Sequence, residues 1–93
     1  MALKIKEQNG KFKIEGPLNA STSTNLYQHF EGLLMVLQTV EIDLEEVSYI
    51  DNNGLVALYK LIKKAYVLNR TLEVTGSVSK KLHNDLDFVL QAA

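Results

Sequence analysis

The sequence contains no cysteine and no tryptophan, and it has one proline and five glycines among its 93 residues. Without cysteine, neither a disulfide framework nor thiolate chemistry is possible. The net charge of −1 gives no overall positive field that would attract nucleic acid or an anionic membrane. No apolar run approaches the length of a membrane span, and the first residues lack the apolar core of a signal peptide. We therefore expect a cytoplasmic protein that neither binds nucleic acid nor inserts into a membrane.

The hydrophobic content of 46% supports a real core, and the length suits one domain over residues 1–93. Alternating apolar and charged residues predict two opening strands, joined by a hairpin turn at residues 8–10. Pro17 is predicted to end the second strand, because proline cannot donate a hydrogen bond to a ladder. Ser21 or a near neighbour then caps the first helix. The apolar face of that helix is predicted to be Leu26, Phe30, Leu33, Leu34 and Leu37.

A third strand is predicted over residues 40–44, followed by a short acidic link and then a second helix. The inward face of this helix is predicted to be Leu55, Leu58, Leu61, Ile62, Ala65 and Leu68. Residues 69–70 close the helix, residues 71–75 form a fourth strand, and a last helix is indicated by Leu82, Leu86, Val89 and Leu90. The order β-β-α-β-α-β-α predicts an α/β fold, with an N-terminal hairpin in a mixed sheet and helices packed on the sheet.

The polar turn Asp51-Asn52-Asn53-Gly54 stands where the second helix begins. The first N–H groups of a helix have no partner within it, and together with the helix dipole they favour acceptors and anions. The turn is therefore a candidate functional site. Asp and Asn are also ordinary capping residues, so a purely structural role is the alternative.

Other candidates for chemistry are poor. His29 and His83 each lack a second ligand at metal-binding spacing, and the sequence places no second acid–base group at a catalytic spacing from Glu45-Glu46. No phosphate-binding loop and no nucleophile elbow is present. The lysines at 60, 63 and 64 are expected on the solvated side of the second helix. We therefore predict no catalytic residue, no metal site and no cofactor.

The second helix has one unusual face. If Leu58 points inward, then Asn52, Val56, Tyr59 and Lys63 share another stripe beside the polar turn. Exposed apolar side chains with polar neighbours indicate a surface that binds a partner, although single exposed apolar residues are also common.

The chain resembles the STAS domain, the family of anti-sigma-factor antagonists. The residues that carry the resemblance are Phe12, Gly16-x-Leu18, Thr22, Leu26, Asp43-Leu44-x-x-Val47, Ile50-Asp51-x-x-Gly54-Leu55 and Thr71-Leu72-Glu73-Val74. The resemblance covers roughly residues 3 to 86. The resemblance implies a binding module of bacterial transcription regulation, not an enzyme. Its partner would be a serine-kinase-type anti-sigma factor or another ATPase, bound through the turn before the second helix and that helix's exposed face.

One departure from the family concerns regulation. In antagonists that have the switch, a serine in an Asp-Ser-Ser-Gly turn is phosphorylated, whereas this chain has Asn52 at that position and Asn53 beside it. An amide cannot accept a phosphoryl group, so no phosphorylation is expected there. Asn19 stands where an acidic residue often follows Gly-x-Leu near the same surface. Ser48 and Thr22 are the neighbouring hydroxyls that could replace the lost acceptor.

The resemblance predicts partner-binding residues: Asn19, Asp51, Asn52, Asn53, Gly54, Val56, Tyr59 and Lys63. Two other functions stay open. The chain is also similar to the small STAS subunit that binds the ATPase of an ABC lipid-transport complex, which needs no serine switch. A third alternative is binding of a nucleotide or small ligand at the turn and the helix N-terminus.

Overall fold

An N-terminal hairpin opens the sheet in the computed structural model, which describes residues 3–76. Strands β1 (Lys4–Gln8) and β2 (Lys11–Leu18) pair in antiparallel fashion. The turn between them has positive φ at Asn9 (55°) and Gly10 (83°), a conformation that Asn and Gly adopt most readily. The predicted hairpin is confirmed.

The rest of the described chain alternates helices and strands. Helix α1 (Ser23–Val36) leads to strand β3 (Thr39–Ile50), and helix α2 (Asn52–Val67) leads to strand β4 (Thr71–Thr75). The sheet order is β1-β2-β3-β4, with β3 parallel to both β2 and β4. This mixed four-stranded sheet with two helices is the predicted fold class.

Both helices pack on one face of the sheet and against each other. Strands β2 and β3 alternate buried apolar residues with exposed or half-buried charged ones. The buried core consists of Phe12, Ile14, Leu18, Leu26, Phe30, Leu34, Val40, Ile42, Leu44, Val47, Ala57, Leu58, Leu61 and Ala65. The other face of the sheet carries charged side chains, including ion pairs from Lys6 to Glu15 and from Lys11 to Glu41, each at 3.2 Å.

The prediction that Pro17 ends the second strand is wrong. Strand β2 continues to Leu18, and Pro17 is paired with Tyr49 immediately after a register shift. Gly16 at φ 109° allows this irregularity, which lets the ladder pass a residue that lacks an N–H. The predicted acidic link after residue 44 is likewise part of β3, because a second shift lets Glu15 pair with Glu46.

The helix phases were predicted correctly in outline and shifted in detail. In α1, Leu33 is half-buried and Leu37 is exposed. The N-cap position is Thr22, the neighbour of Ser21, and its side chain makes no capping hydrogen bond. In α2, Leu55 and Ile62 are only half-buried, while Ala57, which the sequence did not predict to face inward, is buried. The predicted last helix lies outside the described residues.

The far ends of both helices are closed by the chain that follows α2. Asn69 has φ 58°, the left-handed conformation that ends many helices, which fits the predicted stop at residues 69–70. The guanidinium of Arg70 then crosses to α1, where it donates to the carbonyl of Leu34 at 3.0 Å and to the side chain of Gln38 at 2.9 Å. Arg70, which follows α2 in the chain, therefore caps the carbonyl end of α1.

Candidate functional site

The Asp51–Gly54 turn is built as a helix cap. Asp51 is the N-cap residue of α2 with extended backbone (φ −111°, ψ −173°), and its carboxylate accepts a hydrogen bond from the N–H of Gly54 at 3.1 Å. Its own N–H donates to the carbonyl of Leu18 at 3.1 Å, which ties the turn to the end of β2. The capping role of Asp51 that its residue type suggested is therefore present.

Gly54 is required by a close approach of α2 to the sheet. A Cβ at this position would lie 2.8 Å from the carbonyl oxygen of Leu18 and 2.9 Å from Cγ1 of Ile50. The helix N-terminus therefore rests directly on the carboxyl ends of β2 and β3, where Leu18 and Ile50 are paired. Asp51 and Gly54 thus hold the turn in place, whatever else the turn does.

The two middle residues of the turn differ from the outer two. Asn52 and Asn53 are both exposed, and neither side chain has a hydrogen-bond partner within residues 3–76. Since no contact inside the described part of the chain uses their amide groups, both are available to a binding partner.

The β2–α1 loop lies at the same edge of the sheet, and its polar groups are largely committed to its own structure. The side-chain oxygen of Asn19 accepts from the N–H and the hydroxyl of Ser21, at 3.0 and 2.8 Å. The buried hydroxyl of Thr22 donates to the carbonyl of Pro17 at 2.8 Å and accepts from the N–H of Asn19 at 3.0 Å. Asn19 is half-buried near the turn, but its carbonyl oxygen is already used.

The exposed stripe of α2 divides between two clefts. Val56 (49% exposed) and Asn53 line a groove between α1 and α2. Tyr59 and Lys63 line a second, mainly apolar cleft of about 350 Å³ together with Ile62 and Tyr66. Val56 and Lys63 are exposed, whereas Tyr59 is half-buried and packs partly against the core. The predicted site residues of α2 therefore share one helix surface but not one cleft.

The groove between the helices brings in residues that the sequence did not single out as site residues. It has a volume of about 340 Å³ and is also lined by Ser23, Thr24, Tyr27, Ala57 and Lys60. Lys60 was predicted to be merely solvated, and the hydroxyls of residues 21–24 were expected to serve in capping. The available signal was the hydroxyl-rich start of α1, but only the packing of α1 on α2 puts it beside Asn53.

A small polar cluster joins α1 and α2 at Tyr27, which also lines this groove. The hydroxyl of Tyr27 donates to the carboxylate of Glu31 at 3.1 Å, and Lys64 lies 3.5 Å from the same oxygen. Burial raises the pKa of the Tyr27 phenol, and the hydrogen bond to Glu31 and its negative charge raise it further. The phenol therefore stays neutral at physiological pH and acts as a hydrogen-bond donor.

Within residues 3–76, no group of three His, Asp or Glu side chains is placed to hold a metal ion. In the same part of the chain, neither helix is long and apolar enough to cross a membrane.

The family model for the STAS domain matches residues 1–86, which is most of the chain. The chain belongs to the STAS domain family. Its fold is similar to that of the unphosphorylated anti-sigma factor antagonist SpoIIAA, with a TM-score of 0.66 and 10% sequence identity over 86% of this chain and 79% of that one. It is also similar to part of the crystal structure of Mglu, with a TM-score of 0.62 and 15% identity.

The match to Mglu covers 76% of this STAS domain but only 18% of that chain. A comparison with curated proteins gives no match. At these low identities the structural matches establish the fold, and they confirm the predicted STAS architecture with its mixed sheet and helices. They do not transfer the partners of either protein.

Proposed function

We propose that this STAS domain is a non-enzymatic, protein-binding regulatory module that acts like an anti-sigma-factor antagonist and lacks the serine switch. The observation that carries the proposal is the exposed surface at the start of α2. There, two unpaired amide side chains adjoin the exposed apolar side chain of Val56, and Lys63 has no ion pair within the described residues. Apolar groups beside unpaired polar groups are the composition of many partner-binding surfaces.

The partner would be a serine-kinase-type anti-sigma factor or another ATPase, in a bacterial cytoplasm. The exposed amides of Asn52 and Asn53 would hydrogen-bond to it, while Val56 and Tyr59 supply apolar contact. Asp51 and Gly54 would act indirectly by holding the turn, and Asn19 would contribute through its amide nitrogen, which no partner in residues 3–76 uses. The partner is first recovered by pull-down from native cytosol, and its binding to the purified protein is then measured.

The test measures partner binding by two variants of the proposed surface, and a third variant, at Val36, serves as the matched control for Val56. Val56→Ala and Tyr59→Ala should each weaken partner binding measured by calorimetry, Tyr59→Ala by about 2 kcal/mol or more as for a central aromatic residue. Val36→Ala removes the same atoms from a 75% exposed valine at the other end of the helices and should leave affinity unchanged. Denaturation of each variant must accompany the assay. Unchanged binding by Val56→Ala and Tyr59→Ala, in folded protein, would show that the surface is misplaced.

Loss of the switch is tested with the partner kinase and labelled ATP. Wild-type protein should incorporate no phosphate at the turn, because Asn52 has no hydroxyl. Asn52→Ser restores the acceptor and should restore labelling, provided that Asn19 does not prevent kinase docking. Of the neighbouring hydroxyls, Thr22 is buried and hydrogen-bonded, whereas Ser48 is exposed. Stoichiometric labelling of Ser48 with loss of binding would mean that the switch has moved.

The far end of α2 supports a second candidate, a STAS subunit that binds the ATPase of an ABC lipid-transport complex. Tyr66 and Val67 are 86% and 70% exposed, so the apolar surface continues beyond the turn along the helix. Long apolar surfaces are typical of permanently associated subunits. Recovery of an ABC ATPase in the pull-down, with binding lost in Tyr66→Ala, would favour this candidate over a kinase-type partner.

A further inference from the structure

The face of the sheet opposite the helices is open in the part of the chain that the structure describes, and its charges are divided into two halves. Helices α1 and α2 both pack on the other face. On the open face, β1 and β2 carry exposed lysines at positions 4, 6, 11 and 13. Strands β3 and β4 carry the carboxylates of Glu41, Asp43, Glu46 and Glu73. Glu15, a carboxylate in the basic half, is ion-paired with Lys6. A basic half and an acidic half therefore meet between β2 and β3.

The strand register places like charges directly opposite each other inside each half. Lys6 is the cross-strand partner of Lys13, and Glu41 is the cross-strand partner of Glu73. Like charges in such positions destabilise a sheet, whereas opposite charges stabilise it. Neither Lys13 nor Glu73 has an ion pair within residues 3–76. The division of charge therefore costs the single chain stability, and solubility alone would be served equally well by mixed signs.

The charge pattern of this face is complementary to itself. Two copies placed face to face, with a two-fold axis parallel to the strands, would lay β2 of each copy over β3 of the other. Lys13 would then face the partner's Asp43, because these two residues are paired at one level of the sheet. Lys11 would face the partner's Glu41 for the same reason. An unrelated partner would need this same division of charge, which a second copy already has.

Tyr49 adds an aromatic group to the open face. Its side chain is 60% exposed, and its cross-strand partner is Pro17. Successive residues of a strand point to opposite faces, and Leu18 lies in the core, so Pro17 and Tyr49 belong to the open face. In the two-fold arrangement, Tyr49 would lie over the partner's Pro17. Tyrosine is enriched at protein interfaces, so this contact would add to the attraction of the charges.

We infer that two copies of this chain associate through the open face of the sheet, with the basic half of each against the acidic half of the other. Four strands about 4.8 Å apart, with five residues rising about 3.3 Å each, give the face a flat area of roughly 300 Å². A stable complex buries about 800 Å² per partner, so this dimer should be weak and should depend mainly on charge. The turn and the exposed side of α2 stay free in it, so the inference does not rest on the proposed function.

Sedimentation velocity of the purified chain tests the association without any other protein. The protein is measured from about 10 μM to about 1 mM, the range of a weak complex. In about 0.01 M sodium chloride the Debye length is about 30 Å, and the sedimentation coefficient should rise with protein concentration. In about 1 M salt the Debye length is about 3 Å, and the rise should disappear. A monomer at every concentration in low salt, or association that is unchanged in high salt, would overturn the inference.

Two charge reversals identify the face. Lys13→Glu and Glu73→Lys should each lower the association constant about tenfold or more, because each replaces two attractions in the dimer by two repulsions. An equimolar mixture of the two variants should recover association, since the new glutamate of one copy then meets the half that carries the new lysine. Recovery is not expected if the variants act only by harming the fold.

Lys60→Glu is the matched control, because it makes the same charge change at an exposed position of α2, on the opposite side of the sheet. It should leave the association unchanged. Urea denaturation checks the fold, and Glu73→Lys should be at least as stable as the wild type because it removes the like-charge pair with Glu41. Wild-type association in both reversals, no recovery in their mixture, or an equal loss in Lys60→Glu would refute the interface.

Discussion

Substitution of Gly54 by alanine tests whether α2 really begins in direct contact with the end of β2. The added Cβ would lie 2.8 Å from the Leu18 oxygen, 2.9 Å from Ile50 Cγ1 and 3.0 Å from Leu18 Cβ. The side chain of Ile50 can adjust, but the Leu18 carbonyl is backbone and accepts the hydrogen bond from the N–H of Asp51. Relief of the contact must therefore move the turn away from the sheet.

The magnitude follows from three contributions. Overpacking of a buried position costs about 1–3 kcal/mol. A weakened Asp51–Leu18 hydrogen bond adds about 0.5–1.5 kcal/mol. The better helix propensity of alanine returns about 1 kcal/mol. We therefore expect Gly54→Ala to lower the free energy of unfolding by about 0.5–3.5 kcal/mol, the sum of these ranges.

Urea denaturation measures this loss, and Gly32 provides the control. Gly32 is an exposed position of α1, and no atom lies within 4 Å of a Cβ built there. Gly32→Ala should therefore stabilise the protein by up to about 1 kcal/mol through helix propensity alone. The same substitution is thus expected to have opposite signs at the two helical glycines. A Gly54→Ala variant as stable as the wild type would show that the close contact of α2 with β2 is wrong.

Three further predictions concern stability. Leu58→Ala should lower the free energy of unfolding by about 2–5 kcal/mol in denaturant titration, because Leu58 is fully buried, and a loss below about 1 kcal/mol would contradict its inward position. Thr22→Val should cost about 1–3 kcal/mol, since it leaves the Pro17 carbonyl without its donor. Tyr27 has a pKa raised above its unfolded value near 10, so its contribution to stability is complete below that value and is lost as the pH rises through the folded pKa. Tyr27→Phe should therefore show a smaller alkaline loss of stability than the wild type.

The order of the described strands and helices was predictable because each element has a clear period of its own. Alternation at Phe12 and Ile14 and again from Val40 to Leu44 marked the strands, and helical spacing at Leu58 and Leu61 marked α2. The prediction that Pro17 ends β2 was wrong because it considered only the missing N–H of proline and not the pairing of β2 with its neighbouring strand. Whether a ladder can pass a proline depends on a register shift against the neighbouring strand, and that information is not local in the sequence.

The site was predictable only along one helix. Spacing placed Val56, Tyr59 and Lys63 on the exposed side of α2, and the structure leaves Val56 and Lys63 exposed, whereas Tyr59 is half-buried against the core. Spacing could not show that Tyr59 belongs to one cleft and Val56 to another, because that depends on where α1 lies. It could not show either that Ser23, about thirty residues away along the chain, lines the same groove as Asn53. Contacts between elements need the packing angle of the helices, which one sequence does not contain.

Residue types alone left open whether the turn is a helix cap or a functional site. In the structure, two residues of the turn have structural roles and two do not. Asp51 and Gly54 have structural work to do: one caps the helix and the other allows its close contact with β2. Asn52 and Asn53 have none, since both side chains are exposed and no described residue bonds to them. The fold does not use these two polar residues and requires the two that hold them, so the part of the turn open to a functional role is Asn52 and Asn53, where we propose contact with another molecule.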